Sequence, residues 1–278
     1  MGTEYLAVYW RDMVKFFRSR AMLFASLIQP ALWLVLYGLS MSSNFDMLAT
    51  GMPSLPGIAS VNYMSFIAAG IISMTVLFTC LYSGITIQLD KQFGLMKEMI
   101  ASPMPRSSIL SGITLSGITK SLIQTIIIVV LGLILGVQFF NGFTIVQIII
   151  SIVGIVLLTM LFAMGLMFLS SLISINIASH EGVQALITML TLPLFFASNA
   201  LYPIESMPIV IQAISKINPL SYFITGIRYF SLGPDFFALG TQYSIGINDL
   251  FLSFGFLIGF GILMYLLALR AFNKAKVV

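Results

Sequence analysis

Long stretches without a charged residue constrain this chain more than any other feature of its sequence. The longest runs for 60 residues between Lys120 and Glu181, and a second runs for 43 residues between Asp46 and Asp90. A helix that faces lipid needs about 20 apolar residues in succession. Charged residues make up only 8% of the chain, against about 25% in soluble domains. The sequence therefore predicts an integral membrane protein and excludes a soluble globular domain.

The uncharged stretches divide into six predicted transmembrane helices. The 43-residue stretch opens with turn residues at 52–57, which leave room for one span. The 60-residue stretch contains the turn Asn141-Gly142 and therefore holds two spans. We expect an all-α integral membrane fold in which residues 1–278 form a single transmembrane domain. The six predicted spans cover residues 21–43, 62–87, 110–137, 144–172, 182–201 and 248–269.

The distribution of Lys and Arg predicts the orientation, because cytoplasmic loops retain positive charge. Six spans place both termini on one side, and 11 of the 13 basic residues fall there. The sequence thus predicts a multi-pass protein of the cell (plasma) membrane with both termini in the cytoplasm. The net charge of +4 then reflects topology and contact with membrane lipid, and no aromatic-basic motif indicates nucleic-acid binding. The eleven are Arg11, Lys15, Arg18, Arg20, Lys91, Lys97, Arg106, Lys120, Arg270, Lys274 and Lys276, and the other two are Lys216 and Arg228.

Residues 4–20 form an amphipathic segment that precedes the first span. At about 100° per residue, charged residues such as Arg11 and Asp12 share one arc of a helix, and aromatic residues such as Trp10 and Phe17 lie opposite. A helix of this kind lies flat in the membrane interface. It acts either as an anchor or as a lever that touches a cytoplasmic partner.

Residues 90–106 form a second segment that does not span, between spans two and three. Its charged residues occupy about a third of a helical circumference, and Pro103 and Pro105 end the helix. The apolar arc is too wide for a helix surrounded by water, which favours a cytoplasmic coupling helix that docks on a partner. The alternative is a solvated loop helix whose charges neutralise one another. The charged residues are Asp90, Lys91, Lys97 and Glu98.

Residues 202–247 form the third such segment, on the outer side. Its apolar runs at 209–215 and 220–227 are too short to cross the bilayer, so they predict short re-entrant helices. Arg228 follows these runs directly. Its side chain either extends to lipid phosphate or ties the outer segment to Glu205 or Asp235.

Three motifs, in order along the chain, resemble those of type-2 ABC exporter permeases, the family of the daunorubicin-resistance and nodulation-factor export permeases. The first is Phe17-Arg18-Ser19-Arg20 leading to Gln29-Pro30-Ala31-Leu32-Trp33, and the second is residues 90–106. The third runs from Tyr202-Pro203 through Asn218-Pro219-Leu220-Ser221-Tyr222 to Arg228. The resemblance covers essentially the whole chain.

The resemblance implies two sets of functional residues. The set implied to couple the chain to its partner comprises Gly94, Glu98, Ser102, Pro103 and Arg106. The set implied to form an outer gate comprises Tyr202, Pro203, Pro208, Asn218, Pro219, Tyr222 and Arg228.

The resemblance also implies a membrane subunit that pairs with a second copy or a homologous permease on separate ATP-binding cassette subunits. ATP and Mg would bind those partners, and the substrate exported would be amphiphilic, lipid-linked or drug-like. The chain itself carries no ATPase motif. Residues 112–121 are its only stretch near a P-loop, and there Lys120 does not directly follow the second Gly.

Two other classes of function remain open from the residues alone. An ion-coupled secondary transporter would need a titratable group inside the membrane, yet Glu181 and Asp249 lie at the ends of predicted spans. A membrane-embedded enzyme would need a catalytic constellation or a set of metal ligands. The single His180 and single Cys80 offer neither, so we expect no catalytic, cofactor-binding or metal site.

Overall fold

The structure is a computed structural model that describes residues 4–42, 59–204 and 207–274, and most of these residues are helical. The predicted loop at 52–57 and the carboxylate of Glu205 lie outside the described residues. The helices are α1 (Glu4–Arg18), α2 (Arg20–Leu32), α3 (Tyr63–Gln92), α4 (Leu95–Ala101), α5 (Arg106–Ile134), α6 (Ile145–Asn176), α7 (His180–Phe196), α8 (Ile209–Ile217), α9 (Pro219–Leu232) and α10 (Ile247–Lys274). The strands are β1 (Ala59–Ser60), β2 (Asp235–Ala238) and β3 (Thr241–Ser244).

Four helices in the described part of the chain are long and apolar enough to cross a membrane, namely α3, α5, α6 and α10. The helix α3 is buried along nearly its whole length, whereas the other three expose much of their apolar surface. A mostly helical membrane protein is therefore confirmed. The predicted spans 21–43 and 182–201 correspond to shorter helices, the apolar helix Ser26–Ser42 and the 17-residue α7.

Small side chains allow α3 to occupy the centre of the bundle. A Cβ atom on Gly70 would lie 2.5 Å from the carbonyl oxygen of Ala200, so only glycine permits this contact between α3 and the chain that follows α7. The hydroxyl of Ser174 on α6 donates to the carbonyl oxygen of Gly84 at 2.7 Å, and that of Ser170 donates to Leu81 at 2.8 Å. Close packing of this kind is typical of helices that associate within lipid.

The helix α2 continues as a π-helical turn, Trp33–Tyr37, and then as a helix to residue 42. Pro30 lies just before this turn and has no N–H group to donate. The ring of Trp33 packs edge-on against Phe195 and Phe196 at the end of α7, which joins α2 to α7.

The helix α9 packs inside the bundle, between α3, α6 and α10. Phe223 stacks on Phe162 at 4.5 Å between ring centroids, and Phe162 lies near the middle of α6. Gly226 leaves room for the side chain of Leu158, which lies one turn before Phe162 in α6. The first turns of α9 therefore reach about half-way along a helix long enough to span the bilayer.

A small three-stranded sheet, which was not predicted from the sequence, pairs the chain before α3 with the chain after α9. Strand β2 pairs parallel with β1 and antiparallel with β3. The hairpin turns at Leu239 and Gly240, which both have positive φ, as type I′ turns require. The sequence has Leu-Gly at these positions, whereas such hairpins usually have Asn-Gly or Asp-Gly. Phe236 stacks on Tyr243 at 5.0 Å, and Tyr243 also contacts Phe66 on α3.

These connections define two ends of the molecule. The basal end carries α1, α4 and the C-terminal ends of α3, α6 and α10, since Lys91 bonds to the end of α6 and Arg106 bonds to Phe272 on α10. The sheet end carries β1–β3 and the C-terminal end of α9.

Candidate functional site

The amphipathic helix α1 lies at the basal end with its charged arc turned toward the protein. Asp12 is only 5% exposed, whereas Trp10 and Phe17 on the opposite arc are 68% and 57% exposed. Gly112 on α5 permits this contact, because a Cβ atom there would lie 2.6 Å from the carbonyl oxygen of Tyr5. The aromatic face of α1 is thus left for the membrane interface, while the charged face binds the bundle.

Four charged side chains meet where α1 crosses the end of α3, and we call them the basal charge cluster: Arg11, Asp12, Lys15 and Asp90. Arg11 Nη2 lies 2.7 Å from Asp12 Oδ1 and 2.8 Å from Asp90 Oδ2. Lys15 Nζ lies 2.7 Å from Asp90 Oδ1. Asp90 is 4% exposed, and each of its two carboxylate oxygens pairs with a cation of α1.

Asp90 and Lys91 belong to α3, not to the same helix as Lys97 and Glu98. The helix α3 extends to Gln92, and a separate helix begins only after Gly94, whose φ of +78° reverses the chain. The ammonium of Lys91 donates to the carbonyl oxygens of Ser174, Ile175 and Ile177 at 3.0–3.1 Å. Lys91 therefore caps the C-terminal end of α6, where a cation is favoured.

The helix α4 packs on the basal charge cluster with one face and leaves the other exposed. Met96 and Met99 are buried, and Arg11 Nη1 lies 3.1 Å from the sulfur of Met99. Lys97 and Glu98 are exposed on the opposite face. Arg11 therefore touches α4 and the end of α3 at the same time.

The other residues implied to couple the chain to a partner lie around α4 with different contacts. Ser102 donates its hydroxyl proton to the carbonyl oxygen of Met99 at 2.6 Å, and Pro103 is exposed. Arg106 donates to the carbonyl oxygen of Phe272 near the end of α10. Of the five residues, Glu98 therefore presents the exposed carboxylate, whereas Arg106 holds two helices together.

A cavity of about 630 Å³ lies beside the basal charge cluster, between α1, α2, α3 and α5. Aromatic side chains form much of its wall, among them Phe16, Phe78 and Tyr82. Among the lining residues, the hydroxyl of Thr79 contacts the side-chain oxygen of Gln124. The side-chain amide of Gln124 in turn donates to Ser26 Oγ at 2.6 Å. These three polar side chains join α2, α3 and α5. Polar groups at such positions in apolar helices are the signal by which a sequence could have located the cavity.

At the sheet end, the first residues implied to form an outer gate lie after α7. The hydroxyl of Tyr202 bonds to that of Tyr37 on the helix that continues α2, and the ring of Tyr37 packs against Tyr63 at 6.4 Å. Pro203 is half-buried, and the exposed Pro208 immediately precedes α8.

Asn218, Pro219 and Tyr222 fix the junction between α8 and α9. The Asn218 amide donates to the carbonyl oxygen of Leu194 at 2.7 Å, and its Oδ1 accepts from Leu220 N–H at 3.0 Å. Pro219 occupies the first turn of α9, where a missing N–H costs nothing. Tyr222 stacks on Phe256 of α10 at 4.1 Å and donates to the carbonyl oxygen of Lys216.

Arg228 is 2% exposed and lies inside the protein, so the alternative that it extends to lipid phosphate is wrong. Its guanidinium donates to the carbonyl oxygens of Asn199 and Ala200 at 2.7 and 3.3 Å. Its Cζ lies 3.7 Å from the centroid of the Phe66 ring on α3. Asp235 is an exposed residue of β2. Arg228 thus joins α9 to the chain after α7 and to α3.

Apolar helices long enough to cross a membrane, a charged amphipathic helix docked at one end and a cavity between the helices are the features of an integral membrane protein. The chain belongs to the ABC-2 type transporter family, whose sequence profile matches residues 3–232. The resemblance inferred from the three motifs is therefore confirmed.

Three similar proteins are named as transport permeases. The chain is 33% identical to the ycf38 protein of Porphyra purpurea, named as a transport permease, over 84% of this chain and 75% of the relative. It is 25% identical to the inner membrane transport permease YadH of Escherichia coli, over 77% of each chain. It is 23% identical to the daunorubicin resistance ABC transporter permease protein DrrB1 of Streptomyces coeruleorubidus, over 79% of this chain and 71% of the relative.

Proposed function

We propose that this chain is the membrane-spanning permease subunit of an ATP-driven exporter that moves an amphiphilic, lipid-linked or drug-like substrate out of the cytoplasm. In this proposal the chain crosses the cell membrane six times, with α2 and α7 completing the set of spans, and the basal end faces the cytoplasm. The observation that carries the proposal is the family match over residues 3–232. The exposed face of α4, seated on buried charges, supports it.

The energy comes from a separate ATP-binding cassette subunit, which carries ATP and Mg. A second copy of this chain, or a homologous permease, completes the membrane part. Broad apolar faces of α6 and α10 are exposed in the single chain and suit contact with lipid or with such a copy.

The contacts of α4 provide a route by which a partner could move the spans. Pressure on the exposed face of α4 reaches Met99, which touches Arg11, and Arg11 is bonded to Asp90 at the end of α3. Because α3 also lines the cavity, a displacement of its end changes the cavity walls. Closure of the ATP-binding partner would thus be coupled to the pathway.

Glu98→Ala tests this coupling. A partly desolvated charge-assisted hydrogen bond is worth about 1.5–3 kcal/mol, so its loss should lower the yield of the complex or separate ATP turnover from export. The tagged chain is purified from its native membranes, and the ATPase activity that accompanies it is measured. The variant should retain the thermal stability of the unmodified chain, because Glu98 is exposed.

Asp235→Ala is the matched control for Glu98→Ala, since it removes an exposed carboxylate at the opposite end of the molecule. It should leave ATPase activity and complex yield unchanged. Normal yield and normal coupling in Glu98→Ala would remove Glu98 from the mechanism. A complete lack of accompanying ATPase activity in the unmodified chain would contradict the proposed function itself.

The orientation is tested with single cysteines in a Cys80→Ser background, since Cys80 is buried. Ala101→Cys places a thiol on exposed α4, and Ser244→Cys places one on exposed β3. An impermeant maleimide added to intact cells should label residue 244 and should label residue 101 only after the cells are opened. The reverse pattern would invert the topology.

A further inference from the structure

Lys120 is a charged residue of the cavity wall that takes no part in the coupling route. It is one of the basic residues predicted on the cytoplasmic side, yet it lies in the fourth turn of α5, about 20 Å along the helix from Arg106. It lines the cavity, where its ammonium lies 5.8 Å from the centroid of the Phe16 ring. An ionisable residue within a membrane helix indicates a functional site unless a partner neutralises it.

The carboxylates near Lys120 are bonded to other groups. Asp12 accepts from Arg11 through Oδ1 and from Ser116 through Oδ2, and Asp90 accepts from Arg11 and Lys15. Among the residues that the structure describes, Lys120 forms no ion pair within 4.0 Å. Arg11, Lys15 and Ser116 thus occupy the two carboxylates, and Lys120 is left as a cation on the cavity wall without a carboxylate of its own among the described residues.

The walls of the cavity add a second requirement. Phe78 and Tyr82 pack together at 5.8 Å between ring centroids and form an apolar wall on α3. At about 630 Å³ the cavity is of the size that accommodates a small organic molecule rather than a lone ion. An occupant that satisfies both features carries an anionic group for Lys120 and an apolar body for the aromatic wall.

We propose that the cavity binds the anionic headgroup of an amphiphile, with a phosphate or carboxylate on the Lys120 ammonium and the apolar body against Phe78 and Tyr82. This inference rests on the proposed permease function and names its substrate class. The charge-assisted contact between Lys120 and the headgroup sets the preference for anions. The aromatic wall sets a preference for longer apolar bodies.

The test uses the full chain in phosphatidylcholine nanodiscs and radiolabelled dodecyl phosphate, with empty nanodiscs as the measure of partition into lipid. We expect saturable binding that Lys120→Gln weakens about ten- to a hundred-fold and Lys120→Arg largely preserves. Lys216→Gln, which removes an exposed cation on α8 that does not line the cavity, should bind as the unmodified chain does. Thermal unfolding of each variant shows that it is folded.

Four further probes decide the chemistry and the source of the ligand. Dodecyltrimethylammonium and dodecanol should bind at least ten-fold more weakly than dodecyl phosphate, and inorganic phosphate should not compete. If phosphatidylglycerol competes and this competition depends on Lys120, the anionic headgroup belongs to a bilayer lipid. If phosphatidylglycerol does not compete, the site binds single-chain amphiphiles. Unchanged binding of dodecyl phosphate in folded Lys120→Gln, or equal binding of the cationic probe, would overturn the proposal. Neither result depends on an ATP-binding partner, so a failure here is distinct from a failure of the proposed function.

Discussion

Asp90→Asn should destabilise the protein by about 1.5–3 kcal/mol, a large loss for a single conservative change. The substitution keeps the size of the side chain but leaves Arg11 and Lys15 beside a neutral amide in a site where Asp90 is 4% exposed. The cost is the loss of two charge-assisted contacts at a buried carboxylate, since Arg11 keeps its bond to Asp12 and Lys15 is partly exposed to solvent. The measurement is the thermal unfolding midpoint of the purified protein in detergent, together with the yield of its complex.

A double-mutant cycle separates the ion pairs from the packing around them. Arg11→Met together with Asp90→Asn should lose less stability than the sum of the two single variants. Each single variant already loses the contact between Arg11 and Asp90, so the sum counts that contact twice. Asp235→Asn is the control for the loss of a carboxylate at an exposed position. If Asp90→Asn unfolds at the temperature of the unmodified protein, the basal charge cluster does not hold α1 to α3.

The helices of this cluster were predictable, whereas its pairings were not. The length of the uncharged stretches predicts that α3, α5, α6 and α10 are long enough to cross a membrane, because the thickness of the lipid sets the length of a spanning helix. The contact between Arg11 and Asp90 joins residues 79 positions apart, and no local pattern specifies it. A helical wheel drawn over 90–106 assumes one continuous helix, and the break at Gly94 divides it and buries Asp90.

The sheet end was predicted less well for related reasons. The short apolar runs indicated helices at about the positions of α8 and α9. The hairpin was missed because Leu239 occupies a turn position at which a sequence usually shows Asn or Asp. Arg228 was singled out as a cation beside an apolar run, yet its described partners are main-chain carbonyl oxygens, which every residue has.

Arg228→Ala is the second change with a large expected effect, a loss of about 3–5 kcal/mol. The substitution removes charge-assisted hydrogen bonds to Asn199 and Ala200, worth about 1.5–3 kcal/mol, and a desolvated contact with the Phe66 ring, worth about 2 kcal/mol. The chain after α7 should then detach from α3. We expect a lower thermal unfolding midpoint and faster protease cleavage between α7 and α9.

Two further variants decide whether the geometry of Arg228 or only its charge matters. Arg228→Lys keeps the charge but has no planar fork to reach two carbonyl oxygens and stack on a ring at once, so it should recover only part of the stability. Lys216→Ala removes the exposed cation at the end of α8 and should change neither the unfolding midpoint nor the rate of cleavage by chymotrypsin, which does not cut after Lys. Full recovery by Arg228→Lys would reduce the contribution of Arg228 to charge alone. Unchanged cleavage and stability in Arg228→Ala would show that the junction between α7, α9 and α3 holds without this residue. The outer segment would then have to be held by the hydrogen bonds that Asn218 donates at the end of α7.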